Sequence, residues 1–363
     1  MIPKKFYNIL ISIGLFFGSF LFIKVISFTS FPDKIFPKVN VFFSKLLYFI
    51  SHKFPFSVGD IFYIILTISS VGFLFYFFKL IRSKNWEILR KALTRLVYFL
   101  MIFYWTFHLL WGFNYYKTPI VENYDTENIT IDELKLLAEI YFMRSVFLRE
   151  QVGEDKNGVF KFQLTQNEIN QNLKVSSSEI KSKYPEIHFI NLTPPNVKSS
   201  LFSTMFSYMG VSGYYVPFTT EAQYNDKMPD TKLLFTQFHE IAHQWGFAPE
   251  NEANFVGYLL GKESDDVEMK YASNYRAMRS ILNRILWVDP VYVQVMLFRY
   301  SDGMKRDRNY EREINEKYSG KGEEAFSLMN ETFLRLNNQE GLESYGRFVE
   351  LLVGFNRKYS KLE

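Results

Sequence analysis

Along the chain, hydrophobic positions change their pattern near residue 113. Before it they run in unbroken blocks, and after it they recur among charges. Three uncharged blocks, Phe6 to Ile23, Ile61 to Phe78 and Leu96 to Phe113, are each 18 residues long. That is the lower edge of what a helix needs to cross hydrocarbon. Flanking residues extend them: Lys24 can snorkel while Val25 to Phe28 continue the first block. The pattern predicts three membrane helices, at about 6–28, 61–81 and 96–113, in a membrane domain covering residues 1–113. Tyr98, Tyr104, Trp105, Trp111, Tyr115 and Tyr116 form an aromatic belt around the third. The first block lacks a small-x-small cleavage site and so reads as a retained helix rather than a secretory leader. Between the first two spans, Val39 to Ile50 is amphipathic and predicts a helix lying along the membrane surface, with a flap over an active site as the alternative.

From Asn114 onward the pattern is that of a globular, mostly helical domain covering residues 114–363. Thr130-Ile131-Asp132-Glu133 reads as a capping box opening a helix to about Gln151. A second helix follows at about Thr165 to Lys183. Pro194-Pro195, Phe202 to Met209 and Val211 to Phe218 read as two or three short strands and turns. Leu233, Leu234, Phe238, Ile241, Ala242 and Trp245 recur at helical spacing and predict a largely buried helix. Asp230 and Thr231 offer its N-cap and Gly246 its stop. Helices are then expected near Val267 to Leu286, Pro290 to Tyr300, Asp307 to Lys317, Glu323 to Leu336 and Glu343 to Tyr359. The fold class is therefore mainly α: three transmembrane helices, then an α+β domain with a small sheet.

The buried helix carries His239-Glu240-Ile241-Ala242-His243, an H-E-x-x-H pattern in a chain with five His. Residues four apart share a helix face, so both imidazoles can address one ion. Glu240, beside them, can hold a water and take its proton. This is the residue set of a zinc hydrolase. Two unpaired His and a Glu on a buried helix would be costly without a metal. A catalytic zinc needs a third protein ligand and an open position. Gly246 can turn the chain, Pro249 suits the first turn of a new helix, and Glu250 or Glu252 then returns toward the ion.

The run after the motif resembles two groups. Gly246 stands where metzincins have Gly, but Pro249 occupies the place of their third His. Glu250-x-x-Ala253-Asn254 is similar to the third-ligand helix of gluzincins, which implies Glu250 as ligand and Asn254 as the residue orienting a ligand His. Glu252 is the alternate ligand. Trp245 stands where a smaller or polar residue is expected. Zinc proteases commonly hold substrate backbone on an edge strand beside the metal helix. Gly213, Tyr214 and Tyr215, in Ser212 to Phe218, are the candidates for it, with a purely structural hairpin as the alternative. Tyr345, Tyr215 and Arg347 are candidates for stabilising an oxyanion.

Composition and charge decide the setting. Zero Cys excludes disulfides. Arg82, Lys84, Arg90, Lys91 and Arg95 in the loop between the second and third spans, with Lys4 and Lys5, outweigh the more dispersed Lys34, Lys38, Lys45 and Lys53. The denser clusters should be cytoplasmic, placing the C-terminal domain outside. A pI of about 8.8 reflects in part these juxtamembrane cations, which suit anionic lipid. No phosphate loop or nucleic-acid patch is present, so the expected partners are the bilayer and a peptide or protein substrate.

Taken together, the chain resembles a bacterial membrane family catalogued as domain of unknown function 3810. The resemblance rests on the three spans, Gly213 to Ala222, the run from His239 to Ala248, the Glu-Ala-Asn-Phe run from Glu252, and Ser344-Tyr345-Gly346-Arg347. It implies a zincin-like metallohydrolase anchored in the bacterial inner membrane, with no established substrate. The expected activity is peptide-bond hydrolysis by a zinc-activated water, with His239, His243 and Glu250 as ligands and Glu240 as general base. The competing reading is a non-catalytic receptor or assembly factor with a structural zinc.

Overall fold

The structure is a computed structural model that describes residues 7–189, 193–336 and 347–359. The membrane half comprises α1 (Tyr7–Ser27), α2 (Phe31–Lys34), α3 (Phe36–Ser51), α4 (Val58–Arg82) and α5 (Trp86–Leu110). Of these, α1, α4 and α5 are long and apolar enough to cross a membrane. Their outward faces carry large exposed apolar side chains, among them Phe17, Ile68, Phe75 and Phe78. Surface of this kind calls for lipid rather than water, so the protein is membrane-associated. The third span starts ten residues before the expected Leu96, because Asn85 at the N-cap accepts from the Ile88 amide and Lys91 and Arg95 stand exposed on a continuous helix. The stretch Val39 to Ile50 is helical, as expected, within α3, which is tied to the end of α5 where the Asn40 amide donates to the Leu110 carbonyl (2.6 Å). His108, in α5, is a packed residue: its Nδ1 donates to the Tyr104 carbonyl and its ring meets Phe113.

The second half continues with α6 (Ile131–Arg149), α7 (Gln166–Lys183), β1 (Val197–Ser199), α8 (Ser203–Tyr208), β2 (Gly213–Val216), β3 (Glu221–Tyr224), α9 (Asp230–Gln244), α10 (Glu250–Lys262), α11 (Val267–Leu286), α12 (Pro290–Phe298), α13 (Asp302–Tyr318), α14 (Lys321–Leu336) and α15 (Arg347–Tyr359). At its centre α10 packs against α7, α9, α11 and α15, and its residues from Asn251 to Gly261 are buried. The sheet has the order β1-β3-β2, with β1 parallel and β2 antiparallel to β3, and it lies against α9. Strand β2 is therefore an edge.

Three local readings are corrected. Phe202 to Met209 forms the short helix α8 rather than strand. Thr130 caps Glu133, but the Glu133 carboxylate answers Arg357 instead of closing a capping box. Pro229, not Asp230 or Thr231, stands at the N-cap of α9: Asp230 accepts from the Phe162 amide and Thr231 donates to Glu311. Strand β3 was not anticipated, and its burial explains why. Glu221 and Gln223 are fully buried polar residues, so no apolar alternation marks the strand.

The two halves are knit at the sheet. The Glu221 carboxylate accepts from the Val58 and Gly59 amides at the start of α4 (3.1 and 2.5 Å) and from Lys198 Nζ (2.5 Å). Lys198 also donates to the Ser51 and Phe56 carbonyls, closing the link to α3. A carboxylate at a helix N-terminus meets both unsatisfied amides and the positive dipole end.

Candidate metal centre

The site is built on α9 and α10. Four residues apart on α9, His239 and His243 project from one face with ring centroids 4.6 Å apart. Gly246 then adopts φ of 99°, a left-handed turn that L side chains rarely take, and ends the helix. That turn brings the Phe247 carbonyl back to His243, whose Nδ1 donates to it at 2.6 Å. The proton on Nδ1 leaves Nε2 with its lone pair facing the cavity. Trp245 is accommodated by donating its indole N–H to the Thr193 carbonyl and packing on Phe189.

Pro249 caps α10, and Glu250 at its first position swings toward the imidazoles. Its carboxylate oxygens lie 3.2 Å from His239 Nε2 and 3.7 Å from His243 Nε2. The ligand atoms of all three residues fall within 4.8 Å of one another. Zinc–ligand bonds of roughly 2.1 Å in tetrahedral array put neighbouring ligand atoms about 3.4 Å apart, so the donor set and its spacing fit that ion.

The other five candidate positions behave differently. Glu252 points away: buried, it accepts from the Ile120 amide at 2.6 Å, and burial pushes its carboxyl up to about 7 despite that amide and Lys117. Asn254 donates to the backbone carbonyl of Glu250 (2.8 Å) and not to a ligand imidazole, while His239 Nδ1 is buried without a partner among the described residues. Of the oxyanion candidates, Tyr215 lines the cavity at the site, whereas Arg347 is exposed at the start of α15 and absent from its walls. Tyr345 lies outside the described residues.

Glu240 is buried beside the pair, with one carboxylate oxygen unpartnered among the described residues. Burial, reinforced by the Glu250 carboxylate, holds its carboxyl well above the usual range. Burial, with His239 adjacent, pulls His243 down to about 4, which keeps it in the neutral form that ligates metal. The edge strand passes directly over Glu240. A Cβ on Gly213 would stand 2.7 Å from Glu240 Oε1 and 2.6 Å from the Gln223 carbonyl, so only glycine permits this approach. Tyr214 faces the other way and donates to Asp60 in the first turn of α4.

Sequence reasoning missed the contribution of the membrane half. Trp111, read as interfacial belt, sits with its ring 4.8 Å from Tyr215 and 5.9 Å from His243, and its N–H donates to the Tyr115 hydroxyl (3.3 Å). Both Trp111 and Tyr115 line a cavity of about 1050 Å³ that also contains the His239–His243–Glu250 cluster and Glu240. An interfacial Trp and a wall of the site give the same local signal, so nothing in the sequence separated them.

The arrangement is continuous with a family match that spans residues 36–353, to the family described as "Protein of unknown function (DUF3810)". The chain belongs to this family. The match includes α4, α5, the sheet and both helices of the metal cluster, so the DUF3810 region contains that cluster. No curated protein and no solved structure matches the chain.

Proposed function

We propose that this DUF3810 protein is a membrane-anchored, zinc-dependent metallopeptidase with a zincin-like catalytic domain on the extracytoplasmic side of a bacterial inner membrane. One observation carries the reading: the three ligand groups converge on one point while Glu240 and an edge strand meet beside it in an open cavity. A closed structural zinc site would need neither the acid nor the access.

His239, His243 and Glu250 would hold the ion, which would supply Lewis-acid polarisation of the scissile carbonyl and of water. Glu240 takes the proton from the attacking water and later delivers it to the leaving amine. The free edge of β2 pairs with substrate backbone and presents the peptide to Glu240. Tyr215 and Tyr115, both on the cavity wall, are the candidates to donate to the developing oxyanion.

Purified full-length protein should carry about one zinc per chain, and His239→Ala or His243→Ala should lose it. Glu240→Gln should keep zinc, fold normally and retain uncleaved peptides in pull-downs from membranes. Full zinc occupancy in a His239→Ala/His243→Ala double variant would end this reading.

A further inference from the structure

The cavity does not stop at the metal cluster. From His243 it passes Trp111 and Phe107 and continues along α5 to Phe103 and Leu100, flanked by Phe16 of α1 and Tyr63 of α4. Helix α5 packs against both α1 and α4, so it forms the floor of a groove between them. Leu100 is 44% exposed, which leaves the far end of the groove open sideways where lipid would lie.

The depth is informative. From Trp111 back to Leu100 is about 16 Å of helix at 1.5 Å per residue. Phe16 lies a similar distance before the end of α1 on the same side. Half of a hydrocarbon core of about 30 Å is about 15 Å. The groove is therefore about as long as one leaflet is thick. At the opposite end, beyond the metal cluster, the charged and polar Lys232, Arg276, Glu323, Ser327 and Asn330 join Phe235 and Phe326 in the wall. The metal cluster sits between the stretch along α5, which carries no charge, and this one, which does.

We propose that the substrate is a membrane-resident acylated peptide: its hydrocarbon tail lies along α5, its peptide portion runs along β2 toward Lys232 and Arg276, and the peptide bond to be cleaved lies at the metal cluster, close to the acylated residue. This rests on the metallopeptidase reading. A transmembrane peptide fits the groove less well. It would have to unwind to pair with β2, bringing peptide N–H and C=O groups into a stretch walled by Phe16, Leu100, Phe103 and Phe107. Unsatisfied backbone at membrane depth costs several kcal/mol per group. A hydrocarbon tail carries no such groups, and the ring faces suit it. The groove also gives it a way in from the leaflet without leaving hydrocarbon.

The test uses full-length Glu240→Gln protein in lipid nanodiscs and a palmitoylated peptide with a photoreactive diazirine in its acyl chain. Crosslinks should map to Phe16, Leu100, Phe103 and Phe107. The unlabelled acylated peptide should compete and the same peptide without its tail should not. Leu100→Trp and, independently, Phe103→Trp fill the groove and should reduce labelling by about tenfold with zinc content unchanged. The proposal is overturned by labelling that falls equally on Phe75 and Phe78, by equal groove labelling from a diazirine phospholipid, or by stronger competition from an unacylated transmembrane peptide. Wild-type hydrolysis of peptides without groove labelling would remove the tail site and leave the peptidase standing. Groove labelling without hydrolysis would do the reverse.

Discussion

At the scale of single residues, the separation of Glu250 from Glu252 shows what local spacing can and cannot decide. The His239–His243 pair was legible because four residues on a helix is a local geometry. The third ligand depends on a loop, and both acids stand in the first turn of α10. A step of two residues rotates a side chain about 200° around a helix, so only one can face the imidazoles. The other is taken by the Ile120 amide. Glu250→Gln should weaken zinc affinity at least about tenfold, whereas Glu252→Gln should leave it unchanged and lower stability instead. Competition with a chromogenic chelator separates them, and the opposite order would reassign the ligand. The role expected for Asn254 failed for a related reason: its amide is within reach of the Glu250 carbonyl one turn back, and that bond forms instead. Gly213 yields a sharper prediction. In Gly213→Ala the new methyl must displace the Glu240 carboxylate or the strand. Displacement on the ångström scale costs about a hundredfold in rate. Turnover should fall by that order with zinc content intact, and unchanged turnover would show that Glu240 is not positioned by this contact.

At the scale of elements, the spans and most helices of the second half were legible from apolar runs and caps, and α11 matches its expected bounds of Val267–Leu286. The sheet was legible only where Gly, Tyr and Val marked β2. Strand β3 escaped because what stabilises it is polar and distant in sequence: Glu221 is held by Lys198 and by the first amides of α4. That link makes the sheet and the membrane helices interdependent. Glu221→Gln strands the buried Lys198 ammonium, and removing one partner of such a pair typically costs about 3–5 kcal/mol. The variant should melt well below wild type, and Lys198→Met added to it should recover part of the loss. A melting point unchanged in Glu221→Gln would mean that the two halves fold independently.

At the scale of the whole molecule, the three spans could be read from length and composition, but the division into a membrane anchor and a separate catalytic unit could not describe the cavity. Its walls come from α1, α4, α5, β2, α9, α10, α11 and α14, brought together only by tertiary packing. The anchor is part of the site. Orientation remains a prediction from the distribution of basic residues. A reporter fused after Lys117 should be active only outside the cytoplasm, and one near Lys84 only inside. The reverse pattern would place the metal cluster and its substrates in the cytoplasm. The central claim, that the cluster is catalytic, is tested most directly by peptide hydrolysis. Wild type and Glu240→Gln would be compared in lipid, with zinc measured on the same samples. Losing the general base should cost about two to four orders of magnitude in rate at equal zinc content. Equal rates, with equal zinc, would contradict the account and leave the ion a structural role.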